Sequence, residues 1–258
     1  LRLVESDDAF RMDITALEAA IAADRAAGLR PVCVIAAAGT TNTGSIDDLK
    51  AIADLCRRED LWFHIDGCIG ALIKIAPIHR HLVNGLEQAD SLALDPHKWM
   101  HTPFEAGCAL VRDAELHRNT FAIHGEYLEE KPRGLASGEF LADYSFELSR
   151  GFKALKIWMS LKEQGVEKFG RLIDQNIEQG RYLTARITET PELELMAPTS
   201  INIVCFRYQI AGADEATTKA INTEIMLRIQ EAGTAMPSDT TVHNRYALRV
   251  AINNHRTT

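Results

Sequence analysis

The chain has 258 residues, of which 46% are hydrophobic and 25% are charged, a composition typical of one large globular domain or two modest ones. Its formal net charge of −8 and pI of about 5.6 argue against a general binder of nucleic acid or of anionic membranes. No apolar run approaches the ~18 residues of a membrane span. The five cysteines are scattered and form no Cys-x-x-Cys pair, which argues against a metal site or a disulfide framework and favours a reduced, cytoplasmic protein.

Hydrophobic periodicity predicts alternating helices and strands. Continuous apolar runs are typical of parallel strands buried on both faces, whereas apolar residues spaced by three and four are typical of amphipathic helices. The predicted elements are, in order, a helix over residues 13–27, a strand over 32–38, a helix over 46–57, a strand over 61–65, a helix over 77–86, strands over 91–94 and 106–112, helices over 152–165 and 166–189, strands over 193–196 and 201–207, a helix over 215–232 and a closing strand over 247–252. Residues 116–147 lack clear periodicity, and so long a stretch is usually functional or disordered.

The turn after the first predicted strand leads into a helix. Ser45 and Asp48 have the spacing of a capping box for the helix over residues 46–57. This pattern predicts Ser45 as the N-cap and places Asp47 in the first helical turn, where a carboxylate is favourable.

A lysine follows the strand over residues 91–94. The strand must stop at Pro96, which has no N–H for a ladder, and Lys98 lies just beyond. Ligands of open α/β sheets bind at this carboxyl edge. Lys98 is therefore either a solvated charge or a Schiff-base lysine, whose amine attacks a carbonyl.

A carboxylate follows the preceding strand. Asp66 comes directly after the apolar strand over residues 61–65, about 30 residues before Lys98, which suits one βαβ unit. Asp66 and Lys98 are then expected at the same edge of one sheet. A Schiff-base lysine with an acidic partner for a pyridinium nitrogen is the protein's part of pyridoxal phosphate (PLP) chemistry.

These motifs carry a family resemblance. His64-Ile65-Asp66-Gly67 followed by Asp95-Pro96-His97-Lys98-Trp99 resembles the group II PLP-dependent decarboxylases, which include the aromatic L-amino-acid, glutamate and cysteine-sulfinate decarboxylases. The resemblance runs from about Phe10 to His255. It implies an α/β protein of fold type I, with a parallel-rich sheet flanked by helices and a small α+β C-terminal domain. Residues 1–155 would form the C-terminal part of the large PLP-binding domain and residues 156–258 the small domain, with the front part of the large domain expected before Leu1.

The resemblance also implies roles at the strand ends. Lys98 would form the Schiff base, Asp66 would hold the pyridine nitrogen, and Thr41, Cys68 and His97 would contact the cofactor, with His97 also near the reaction. For three of these residues a structural role is an alternative. Thr41 lies in a turn, Cys68 can be a buried structural thiol, and His97 can be a packed side chain. Asp95 departs from the asparagine frequent in the aromatic subgroup, and because a carboxylate repels a phosphate we assign it no role.

Two further residues are implied by the resemblance. Residues 116–147 would be a mobile catalytic loop in which Tyr127 protonates the substrate carbon after carbon dioxide leaves; the alternative for Tyr127 is a surface aromatic. Arg150 would bind substrate near the entrance, or else be a salt-bridged arginine at a helix start.

The expected activity is PLP-dependent decarboxylation of an L-amino acid, with aromatic substrates favoured. The alternatives are an acidic substrate, another PLP reaction such as transamination, desulfuration or aldehyde formation, and a non-catalytic half of a split enzyme. The resemblance further implies a homodimer whose active sites are shared between subunits.

Overall fold

The computed structural model of the protein describes residues 1–122, 131–134 and 137–257, and two four-stranded sheets organise it. The strands are β1 (Cys33–Ala37), β2 (Trp62–Asp66), β3 (Ser91–Leu94), β4 (Cys108–Val111), β5 (Leu193–Leu195), β6 (Ile203–Tyr208), β7 (Ser238–Val242) and β8 (Arg245–Ala251). The helices are α1 (Ile14–Ala26), α2 (Leu49–Glu59), α3 (Pro96–Trp99), α4 (Ala114–Phe121), α5 (Lys153–Gln164), α6 (Val166–Thr188) and α7 (Glu215–Glu231). This is the α/β arrangement expected, with a parallel-rich sheet followed by an α+β unit.

The first sheet has the order β1-β2-β3-β4. Strands β1, β2 and β3 are parallel, and β4 runs antiparallel to β3. Each of the four strands was predicted from its apolar run. The expectation that the first strand is buried on both faces is wrong, because Val34 and Ala36 are buried whereas Ile35 is 54% exposed. One face of β1 therefore lacks a covering layer within the part of the chain that the structure describes.

The second sheet is antiparallel and has the order β5-β6-β8-β7. Helices α6 and α7 pack against it. A single hydrophobic cluster runs from the first sheet through α6 to the second, and Phe63, Ile65, Ile173, Ile177 and Ile203 are among its fully buried members. Burial of apolar surface thus joins the two sheets into one packed unit.

The crossover from β2 to β3 differs from the predicted helix over residues 77–86. It consists of 3₁₀ turns at Gly70–Ile75, Arg80–Val83 and Leu86–Gln88. The chain leaves helical geometry at Asn84, which is extended, and at Gly85, whose φ of +98° suits glycine; a Cβ on Gly85 would lie 2.7 Å from the Lys50 backbone nitrogen. The chain still returns parallel to its start, because the direction of β3 does not depend on the form of the connection.

The capping box at Ser45 is not formed. Asp48 is the N-cap of α2, its carboxylate accepting from the Ala51 N–H at 3.0 Å, and the helix begins at Leu49. The Ser45 hydroxyl instead donates to the Phe10 carbonyl at 2.7 Å. Asp47 accordingly lies before the helix rather than in its first turn.

Periodicity missed three elements, the single turn of α3, helix α4 and strand β7. Helix α4 buries none of its residues, so it leaves little apolar pattern, although Asp113 caps it by accepting from the Leu116 N–H at 2.9 Å. Strand β7 is a polar edge strand that, within the described part of the chain, pairs only with β8. Among the described helices, none is both long enough and apolar enough to cross a membrane.

Candidate active site

Lys98 lies in a single helical turn directly after β3. The strand ends at Leu94, and Pro96 occupies the first turn of α3, where its missing N–H removes no helical hydrogen bond. The Lys98 N–H closes the turn by donating to the Asp95 carbonyl at 2.9 Å. The lysine therefore stands at the carboxyl edge of the first sheet.

The lysine ammonium has a carboxylate partner. Lys98 Nζ lies 2.9 Å from Asp95 Oδ2, and the two side chains are 36% and 20% exposed. Attraction between opposite charges that are partly shielded from water holds the lysine close to the strand end. Asp95, which the sequence analysis left without a role, is thus a neighbour of the central amine.

Asp66 ends β2, the neighbour of β3. It pairs in register with Ala93 of β3 and with Ala37 of β1. Its carboxylate is exposed, and it accepts a hydrogen bond from the Cys68 N–H at 3.1 Å. The prediction that Asp66 and Lys98 follow adjacent parallel strands at one sheet edge is confirmed.

The pKa of the Cys68 thiol depends on the nearby charges of Asp66, Asp95 and Lys98. Burial, followed by a hydrogen bond to Asp66 and the charges of Asp66 and Asp95, raises the pKa of Cys68 to about 12, while Lys98 opposes the shift. The thiol therefore stays neutral near pH 7 and is not a nucleophile there. Its response to three charged groups shows that the ends of β2 and β3 form one electrostatic site.

His97 is tied to the loop that precedes β4. Its Nδ1 lies 2.8 Å from the Ala106 carbonyl oxygen and 3.2 Å from the Ala106 nitrogen. One ring nitrogen cannot serve both partners at once, and the shorter contact favours an Nδ1–H that donates to the carbonyl. The ring also packs edge-on against Phe104, with centroids 5.0 Å apart, and Nε2 lies 3.8 Å from Asp95 Oδ2. His97 is therefore a packed side chain whose second nitrogen faces the Lys98 site.

Thr41 lies in the turn that follows β1. The Thr40 hydroxyl is engaged with the hydroxyls of Thr43 and Ser45, at 3.0 and 2.9 Å. The Thr41 side chain is exposed, and its carbonyl accepts from Arg249 Nε at 2.9 Å. The second sheet thus holds the backbone of this turn and leaves the Thr41 hydroxyl facing solvent.

A buried carboxylate supports the same turn. Asp47 accepts from the backbone N–H groups of Met12 and Ala37, both at 2.7 Å. Burial raises the pKa of Asp47, and the two N–H donors oppose that shift. Local spacing in the sequence does not reveal this role, because Met12 and Ala37 lie outside the helix pattern that contains Asp47.

Arg150 lies in the segment that leads to α5. Arg150 donates to the carbonyls of Leu141 and Glu147, the latter at 3.3 Å, and so ties the segment leading to α5. The salt bridge considered for Arg150 is not formed among the described residues, and no contact there joins it to Lys98. Tyr127 lies outside the described residues.

Comparisons with known proteins agree with this geometry. Residues 1–209 match the family described as the pyridoxal-dependent decarboxylase conserved domain. The chain is 37% identical over 258 residues to an aromatic-L-amino-acid decarboxylase of Bacillus atrophaeus, a match covering 99% of this chain and 53% of that protein. Among solved structures, the TDC of Oryza sativa with PLP and tryptamine is similar with a TM-score of 0.89 and 29% identity, over 98% of this chain and 53% of that one.

A second solved structure broadens the comparison. The glutamate decarboxylase domain of a Vibrio parahaemolyticus protein is similar with a TM-score of 0.81 and 29% identity, over 99% of this chain and 49% of that one. The chain thus spans about half the length of the relatives that it matches. By the family match and by the identity to these relatives, the chain belongs to the pyridoxal-dependent decarboxylase family.

Proposed function

We propose that the protein decarboxylates an aromatic L-amino acid to the amine and carbon dioxide with PLP as cofactor. The observation that carries the proposal is an exposed carboxylate, Asp66, beside a primary amine, Lys98, at the ends of adjacent parallel strands. The Bacillus atrophaeus relative, named for aromatic amino acids, supports an aromatic side chain. An acidic amino acid is the second candidate, because the Vibrio parahaemolyticus glutamate decarboxylase domain has the same fold.

The side chains at the strand ends fit the cofactor. When bound, PLP draws electrons from the substrate Cα, so that a bond to this carbon can break. Lys98 would supply the amine that holds the cofactor carbonyl, and its ion pair with Asp95 Oδ2 would keep the free amine at the sheet edge. Asp66 would accept a hydrogen bond from the protonated ring nitrogen and stabilise its positive charge, and because Cys68 stays neutral it adds no second negative charge there.

The remaining candidates keep the roles that the resemblance implies. The exposed Thr41 and His97 Nε2, which lies 3.8 Å from Asp95 Oδ2, would contact the cofactor or substrate, and the loop containing Tyr127 would supply the proton that completes the amine. For Arg150 we propose a role in substrate binding near the active-site entrance. Its contacts with the carbonyls of Leu141 and Glu147 hold the segment before α5, through which it would act.

A product analysis tests the activity. The protein is incubated with PLP and a panel of aromatic and acidic L-amino acids, and carbon dioxide is quantified together with the organic product. Equal amounts of amine and carbon dioxide, with the highest rate on an aromatic substrate, are expected, and Lys98→Ala is the blank. An aldehyde or a keto acid as main product would overturn the proposal, and a preference for glutamate would select the second candidate.

Tyr127 has its own test. Tyr127→Phe removes the phenolic proton donor and keeps the ring, so amine formation should fall sharply while attachment of PLP to Lys98 is unchanged. Unaltered amine output from this variant would refute the role of Tyr127.

We propose in addition that the protein forms a homodimer with shared sites. Support comes from an apolar surface formed by Phe152, directly before α5, and by Trp158 and Met159 of α5, which are 74%, 58% and 57% exposed. A cavity of about 720 Å³ continues this surface towards Phe169 and Leu172 of α6. Apolar patches of this kind mark protein interfaces. Trp158→Asp should give a monomer in light scattering, whereas Tyr182→Asp, which alters an exposed aromatic of α6, should leave the dimer intact.

We also propose that residues 1–155 and 156–258 form two domains and that the protein is cytoplasmic. The expected boundary at residues 155 and 156 falls just inside α5, and the first sheet lies before it and the second after it. All five cysteines are free thiols, which supports the cytoplasmic location.

A further inference from the structure

Helix α6 is packed unusually closely onto the first sheet's connections. A Cβ on Gly170 would lie 2.2 Å from the Ile75 carbonyl oxygen, so only glycine permits this approach. One turn further along, the Asp174 carboxylate accepts from the N–H groups of Ile78 and His79 at 3.1 Å and lies 2.7 Å from His79 Nδ1. The helix is therefore held in a defined position relative to the segment between β2 and β3.

The same helix reaches the residue next to Lys98. Trp99 is 1% exposed, and its indole N–H donates to Asn176 Oδ1 at 3.1 Å. Asn176 is fully buried and donates through Nδ2 to Gln179 Oε1 at 3.0 Å and to the Asn254 carbonyl at 3.3 Å. Because an indole only donates and a carbonyl only accepts, these partners define the orientation of the Asn176 amide.

We infer that Asn176 is a positioning residue for Lys98, acting through Trp99; the inference rests on the proposed function for the role of Lys98. Helix α3 has four residues, too few to be stable by its own hydrogen bonds. Its buried anchor is Trp99, and the directional polar contact of that anchor is Asn176. Helix α6 thereby determines, through Trp99, the position of the Lys98 amine.

The contact with Asn176 keeps a buried hydrogen-bond donor, the Trp99 indole N–H, paired. If Asn176 is replaced by leucine, the Trp99 N–H has no acceptor in an apolar site, and the indole must shift to regain one. A shift of Trp99 moves Lys98 and weakens its 2.9 Å ion pair with Asp95. Lys98 should then be more accessible to reagents and less often in the position that holds a cofactor.

The test measures Lys98 with and without cofactor. In the cofactor-free protein, the rate of acylation of Lys98 is followed by peptide mass spectrometry, with Lys74 as the internal reference. With PLP, the fraction of Lys98 that carries a pyridoxyl group after borohydride reduction is measured. The variants are Asn176→Leu, Trp99→Phe, their double variant, and Gln175→Leu, a control that removes an exposed amide from the same helix.

Asn176→Leu and Trp99→Phe should each speed acylation of Lys98 several-fold relative to Lys74 and lower its pyridoxyl fraction. The double variant should do no more than either single variant, because one contact is removed in all three. Gln175→Leu should match the wild type. Circular dichroism identifies variants that fail to fold, and Trp99→Phe, which keeps an aromatic ring, then carries the comparison.

Two outcomes separate this inference from the proposed function. Unchanged acylation of Lys98 in folded Asn176→Leu and Trp99→Phe, or additive effects in the double variant, would overturn the positioning role, whatever the protein catalyses. The expected acylation changes, combined with a wild type in which PLP never labels Lys98, would support the positioning role and refute the proposed function.

Discussion

Lys98 Nζ and Asp95 Oδ2 lie 2.9 Å apart across a single helical turn at the end of β3. The two charges are close in sequence, but their pairing depends on the turn that Pro96 begins and Trp99 anchors. This turn places the amine near the carboxyl end of β2, whose last residue is Asp66. The proposed chemistry depends on this arrangement.

Lys98→Ala should abolish covalent attachment of PLP, because no other amine lies in the cluster formed by Asp66, Cys68 and Asp95 among the described residues. The measurement is borohydride reduction followed by peptide mass spectrometry. Lys74→Ala, which removes an exposed lysine paired with Glu87, should leave attachment unchanged. A pyridoxyl group retained in Lys98→Ala would place the attachment elsewhere.

Asp66→Asn should weaken PLP binding by roughly 10- to 100-fold, since a hydrogen bond to a charged group contributes about 1.5–3 kcal/mol. The exposed Asp66 carboxylate is replaced by a neutral amide, which cannot stabilise the positive charge of the protonated ring nitrogen. Equilibrium titration with PLP gives the dissociation constant. Asp113→Asn keeps a good N-cap on α4 and serves as the control. Equal affinities in the two variants would argue against Asp66 as the nitrogen's partner.

Cys68 should resist alkylation. With its pKa raised to about 12, only about one thiol in ten thousand is ionised at pH 8. The higher nucleophilicity of such a thiolate recovers part of the loss, so iodoacetamide should react roughly 50-fold more slowly than with a free cysteine. The rate should rise about tenfold per pH unit between pH 7 and 9, because the thiolate fraction rises in that proportion below the pKa.

The Asp66 carboxylate contributes to this resistance. In Asp66→Asn the pKa of Cys68 should fall, because a negative charge and a hydrogen bond that favour the neutral thiol are lost, and alkylation should accelerate. Mass spectrometry of the peptide containing Cys68 provides both rates. Alkylation of wild-type Cys68 as fast as a free cysteine would contradict the burial of this thiol.

Asp47→Asn should lower the free energy of unfolding by about 1–3 kcal/mol, because an amide accepts through one atom only and leaves the N–H of Met12 or Ala37 unpaired in a buried site. Urea denaturation measures the loss. Asp48→Asn, one residue later, keeps an effective N-cap on α2 and should change stability by less than about 0.5 kcal/mol. Equal stabilities of the two variants would show that the hydrogen bonds to Asp47 do not stabilise the fold.

The sequence by itself determined the strands of the first sheet and the residues that follow them. Apolar runs predict buried strands because burial favours them, and a polar residue after each run has to lie at the sheet edge. Asp66 and Lys98 were therefore predicted as neighbours, and the motifs around them indicated the family. The hydrophobic pattern did not predict strand β7 or helix α4, because a polar edge strand and a helix with no buried residues bury too little apolar area.

Only the tertiary structure decided the side-chain partners. Asp47 belongs to two distant backbone N–H groups rather than to its helix, and Trp99 finds its acceptor in Asn176, 77 residues further along the chain. Gly85 likewise takes its left-handed backbone conformation where it packs against the Lys50 backbone. Such contacts form where packed elements meet, and a buried polar group takes whichever partner that packing supplies, so local spacing in the sequence does not encode them.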